Sequence, residues 1–174
     1  MRLMILALEK LAVGMNLLAA LAAVLMSFFV FLGVLMRYVV GSPFMFSDEL
    51  TGLLFVSMAF LAMPLGLVLR RHINVDMVTR TLSGRLRHLS DMAAAVIVTA
   101  FGVWFAWESY GFAAMSHMLD SRSDVGSLLL WPWMALLPAC TVIVILVALG
   151  QCVDSARQLF GQPSLFTLSA EEEV

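Results

Sequence analysis

Three features of the sequence predict an all-α membrane protein of four spanning helices. There are four long uncharged runs, the runs show no alternation, and nearly all charge lies between them. The runs are roughly Leu11–Met36, Leu50–Leu69, Met92–Trp107 and Val125–Val153. About twenty apolar residues in helix cross a hydrocarbon core of about 30 Å. Hydrophobic residues make up 62% of the 174 and charged residues 13%, more apolar surface than a soluble domain of this size can hide. In lipid every backbone N–H and C=O must be paired internally, which leaves helices or closed barrels. Barrel strands alternate apolar and polar residues, whereas these runs are apolar all round. One membrane domain over residues 1–174 is expected, with spans at about 11–36, 50–69, 91–112 and 128–153. The segments between spans are too short for a soluble domain.

The first run follows Arg2 and Lys10 and contains Ala19, Ala20, Ala22 and Ala23, which gives it some likeness to a signal peptide. The apolar part of a signal peptide is usually only about 7–15 residues long. This run is longer and ends at Arg37, so a retained span is expected. Cys140 and Cys152 are twelve residues apart on the last helix. More than three helical turns separate them, too far for a bridge within one helix. They read as small apolar packing residues.

The basic residues set the topology. The N-terminus (Arg2, Lys10), the second loop (Arg70, Arg71, Arg80, Arg85, Arg87) and the tail (Arg157) hold eight; Arg37 and Arg122 are the two on the other side. Cytoplasmic loops carry the positive excess. Both termini are therefore expected in the cytoplasm, with loops 37–49 and 108–124 outside. An even number of spans agrees.

Helix 1 carries Asn16 and Ser27, which can bond across helices or to their own backbone. Arg37 and Tyr38 close it at the outer interface, and Gly41-Ser42-Pro43 makes a turn. Ser47 is a candidate N-cap for helix 2, with Asp48 and Glu49 placed to suit the helix dipole. Pro64 and Gly66 predict a kink and a close neighbour. In the second loop Val75, Val78, Leu82, Leu86 and Leu89 recur at helical spacing, with Asp76, Arg80 and Arg87 on the opposite side. An amphipathic helix over about 74–89 is expected to lie on the cytoplasmic interface, Arg80, Arg85 and Arg87 near anionic lipid heads. Ser90-Asp91 is expected to cap helix 3. Trp104, Trp107 and Tyr110 near its far end, and Trp131-Pro132-Trp133 opening helix 4, form interfacial belts. The third loop, with His117, Asp120, Arg122, Asp124 and Gly126, is the most polar outer segment. An acidic tail over 162–174 is expected to be solvated.

Membrane enzymes and transporters mark their sites with ionisable residues inside the spans. None is expected at mid-membrane here. Haem held between helices needs histidines within the spans, and His72, His88 and His117 fall at ends or in loops. No zinc-spaced cluster, paired-cysteine motif or phosphate-cradling loop is present. No cofactor, metal, catalytic residue or nucleic-acid partner is expected. The chain reads as a helper that anchors or orients another protein.

The segment RYVVGSPFMFSDELTGLLFVSMAFLAMPLGLVLRRHINVD, Arg37 to Asp76, is more specific. Arg37-Tyr38, Gly41, Glu49, Phe60-Leu61 and His72-Ile73-Asn74-Val75-Asp76 stand in order and spacing as in the small, DctQ-like membrane subunit of tripartite ATP-independent periplasmic (TRAP) transporters. Pro132-Trp133 and Leu137-Pro138 resemble that family's fourth helix. The resemblance covers about residues 11–155. It departs at Phe46, where Trp is common, at Ala62 for Gly, and at Val68, with Arg70 and Arg71 nearer the loop.

The resemblance implies a large membrane subunit that carries organic acid and sodium in symport by an elevator movement. It also implies a periplasmic binding protein that delivers substrate, commonly a C4-dicarboxylate or a sialic acid. The small subunit would brace the static frame and help form the docking surface, with Asp120, Arg122 and Asp124 meeting the binding protein. Arg37 and Glu49 are expected either to pair across the first hairpin or to stay as two solvated ends. Rival readings are a stand-alone homodimeric transporter, for which Glu108 would be the acid, and a membrane anchor of a respiratory complex.

Overall fold

A computed structural model describes residues 2–42, 46–69 and 85–159. Within them the chain is helical: α1 (Arg2–Leu35), a π-helical turn (Met36–Val40), α2 (Ser47–Val68), α3 (Arg85–Met118) and α4 (Trp131–Leu159). Four helices are long and apolar enough to cross a membrane. α1 has 34 residues, or about 50 Å of helix at 1.5 Å per residue, well beyond the hydrocarbon thickness.

α1 pairs with α2 and α3 with α4, and the two hairpins meet mainly through α2 and α4. The buried stripe of α1 runs Ile5, Glu9, Ala12, Met15, Ala19, Ala22. That spacing of three and four residues is the seam of helices packed nearly parallel. The buried face of α3 is also made of small residues, among them Ala95, Ser109, Ala113 and Ser116. Small residues let membrane helices approach closely, because lipid offers no hydrophobic drive for association. Gly102 of α3 shows the limit: a Cβ there would lie 2.9 Å from Ile145 Cγ1 of α4. Ile5, Ala12, Leu67, Val68, Val147 and Ala148 form a core where α1, α2 and α4 converge near the terminal end of the bundle. Phe60 of α2 stacks on Phe105 of α3, ring centroids 5.6 Å apart.

Several hydroxyls inside the spans turn back on their own helices. Ser57, Thr99, Ser109 and Thr141 donate to carbonyls four residues earlier at 2.7–2.8 Å. Ser27 does the same to Ala23 at 2.9 Å rather than bonding across helices. Such bonds satisfy those hydroxyls within one segment.

Several local expectations change. Ser47 does not cap α2: it is the first helical residue, buried, and its hydroxyl donates to the Phe29 carbonyl of α1 at 3.3 Å. Packing beside Gly33 brings that hydroxyl across the hairpin. Ser90 and Asp91 lie inside α3, which already begins at Arg85; no Gly or Pro interrupts residues 85–101. Gly66 faces open space instead of a neighbour, because Pro64, Leu67 and Val68 form the buried side of that turn. His72, Asp76, Arg80, most of the expected interfacial helix and the 162–174 tail lie outside the described residues, whereas Arg85 and Arg87 fall in the first turn of α3.

Candidate functional site

The polar chemistry of the described chain gathers at two places, the loop end (residues 36–49 and 117–131) and the terminal end. At the loop end α1 closes in the π turn, with Gly41 in the left-handed region at φ 73° and its amide on the Met36 carbonyl. The wide turn carries Arg37 and Tyr38, and Tyr38 is 78% exposed. Single π turns often mark functional positions in helices.

α3 ends in a Schellman motif. Asp120 takes φ 46°, its amide bonds the His117 carbonyl at 3.3 Å, and the Ser121 amide bonds the Ser116 carbonyl at 3.0 Å. The chain then folds back on itself. Arg122 and Leu129 form an antiparallel bridge. The Ser123 amide reaches the Leu128 carbonyl at 2.9 Å, and the Leu130 amide reaches the Ser121 carbonyl at 3.1 Å. Ser127, at φ 50°, makes the reversal.

Glu49 from the first turn of α2 holds this turn. Its Oε2 accepts from the Ser123 hydroxyl at 2.6 Å and the Gly126 amide at 2.7 Å, and its Oε1 accepts from the Val125 amide at 3.0 Å. The Ser123 oxygen in turn accepts from the Leu128 amide at 3.0 Å. Successive backbone amides converging on one carboxylate make an anion-binding concavity, here filled by the chain's own acid. Gly126 permits the approach: a Cβ there would lie 2.7 Å from Phe46 Cβ and 3.2 Å from Phe46 Cα. Both Glu49 oxygens are thus engaged by the loop, and Arg37 is exposed in the π turn.

The other sequence-predicted residues of this end lie around the turn. Arg122 and Asp120 form an exposed ion pair at 3.3 Å, a surface contact that adds little stability. Asp124 and Val125 sit exposed at the tip. Trp104 and Trp107 point off the bundle, 62% and 77% exposed; Trp131 and Trp133 are partly buried. His117 stands edge-on to Trp131, centroids 5.0 Å apart. Trp107, Tyr110, Trp131 and Pro138 help line an open apolar groove of about 830 Å³ between α3 and α4.

Sequence reasoning missed Ser123 as a partner and the whole polar cluster at the terminal end. The signal for Ser123 was the run Ser-Asp-Val-Gly-Ser, dense in turn formers. At the terminal end Glu9, Gln151, Asp154 and Ser155 are all buried, and Glu9 and Asp154 both have interaction partners. The Gln151 amide donates to the Leu67 carbonyl, in the last turn of α2. For Glu9 the signal was its place on the same helical stripe as Ile5 and Ala12.

Among the described residues no group of three His, Cys, Asp or Glu is placed to hold a metal. No curated protein matches the chain. A family profile described as tripartite ATP-independent periplasmic transporters, DctQ component, matches residues 26–158. That span takes in the last part of α1, all of α2 and α3, the Glu49-held turn and the Gln151 contact, and is well over half of the sequence. The chain is a multi-pass membrane protein and belongs to the DctQ family of transporter components.

Proposed function

We propose that this chain is the small scaffold subunit of a sodium-coupled TRAP transporter for organic acids in a bacterial inner membrane. It braces the large membrane subunit and helps dock a periplasmic binding protein. The observation that carries this reading is the pinning of the two hairpins at both ends. Glu49 ties α2 to the loop before α4, and Gln151 of α4 ties back to the last turn of α2. A frame that must stand still while another domain slides is served by such ties, which add interhelical hydrogen bonds to the packing of small residues.

The lateral faces suit the same role. Phe55, Met63, Ile97, Phe101 and Val103 are all more than half exposed and offer apolar area to lipid or to a large partner subunit. The distribution of Lys and Arg favours cytoplasmic termini, which puts the Glu49-held turn on the periplasmic side, where a soluble binding protein arrives. The substrate class and the sodium coupling rest on family likeness.

Reconstitution tests this. Proteoliposomes holding this chain, the large component and a sodium gradient should accumulate organic acid only when the binding protein is added. Uptake by this chain alone, or uptake by the large component at full rate without it, would sink the scaffold reading.

A further inference from the structure

Twelve residues join α3 to α4, and the tip of that connection is bonded to Glu49 more than to itself. Within the loop, the bridge at Arg122–Leu129 and the Ser123–Leu128 bonds set its base. The tip amides of Val125 and Gly126 find their acceptor on α2. Without that acceptor they would turn to water, and the tip would sample many shapes at little cost.

We propose that Glu49 is a positioning residue for docking. It fixes the form in which Asp124, Val125 and the Asp120–Arg122 pair are offered to the soluble binding protein. The inference rests on the docking reading given above and adds which residue prepares the surface. The physical case is preorganisation: a loop already held in its bound shape has less ordering entropy to lose on association. The geometry favours this role over simple charge attraction. Both Glu49 oxygens are turned inward onto the loop, while Asp48 on the same turn is exposed. Gly126 serves the same end without any charge, since only a residue lacking Cβ lets the tip sit against Phe46.

The test uses proteoliposomes of the two membrane components, with binding protein added in steps and uptake read as a half-saturating concentration and a maximal rate. Glu49→Gln keeps the size but sets an amide NH2 against a backbone donor. Gly126→Ala lifts the tip off Phe46. Both should raise the half-saturating concentration about five-fold or more, the scale of one or two lost hydrogen bonds, and leave the maximal rate unchanged. Asp48→Asn, an equal loss of charge one residue away, should change neither. A Val125→Cys variant carrying a bulky maleimide should block docking outright.

If Glu49→Gln acts and Gly126→Ala does not, the role is charge and the proposal fails. The same holds if Asp48→Asn matches Glu49→Gln. Should the bulky label block docking while both latch variants stay silent, docking at this turn stands and the positioning role falls. A silent bulky label removes the docking reading itself. Loss of co-purification with the large component in either latch variant would make the contact a folding element, again against the proposal.

Discussion

Gly102 and Gly66 carry the same side chain and face opposite demands. A methyl at Gly102 would sit 2.9 Å from Ile145 Cγ1, while one at Gly66 would meet nothing within 4 Å. Overpacking a tight helix contact costs about 1–3 kcal/mol, whereas replacing an unneeded helical Gly by Ala gains about 0.5–1 kcal/mol. Gly102→Ala should therefore lower the thermal unfolding temperature in detergent, and Gly66→Ala should hold or raise it. The reverse order would show that the α3–α4 contact is misplaced. Both glycines lie in uniformly apolar sequence, so neither could be sorted by pattern: in a membrane span hydropathy does not mark which side faces a neighbour. Glu49 differs. Its place in the first turn of a spanning helix marked it as notable, yet its partners lie 74 to 77 residues away, beyond what local spacing can reveal.

At the scale of elements, α2 is the shared member of the bundle, and each of its ends is tied to the neighbourhood of α4. The C-terminal tie is the more buried. Gln151, 8% exposed, donates to Leu67. Replacing it by Leu removes that bond, at a cost of about 0.5–1.5 kcal/mol. Gln151→Leu should lower thermal stability accordingly, and Gln151→Glu should do so further, because an acceptor would face an acceptor. Unchanged melting of Gln151→Leu would show that the terminal end is held by other contacts. The element count was legible in the sequence, since four uncharged runs can only be helices in lipid. The boundaries were less so: the Ser90-Asp91 signal reads as a cap, but α3 has no chain break there to cap and runs on from Arg85.

For the whole molecule the decisive quantity is the sidedness of charge. Eight basic residues against two predict that the Glu49-held turn faces the periplasm. After Cys140 and Cys152 are replaced by alanine, Asp124→Cys should react with a membrane-impermeant maleimide in intact cells. A cysteine in place of Arg2 should react only after lysis. Labelling in the opposite sense would invert the topology and remove the docking surface from the side where a periplasmic binding protein could reach it.

The sequence alone determined that this chain lives in a bilayer, how many times it can cross, and which family pattern it follows. Each of these depends on local composition or on residues near one another in the chain, and the bilayer enforces them strictly because it leaves no backbone group to water. Tertiary structure alone decided which faces of those helices meet, that Ser47 bonds across the hairpin, and that Glu49 and Gln151 close the bundle at its two ends. Those contacts join positions far apart in sequence, and in a chain apolar on every side only the folded arrangement distinguishes the inside from the outside.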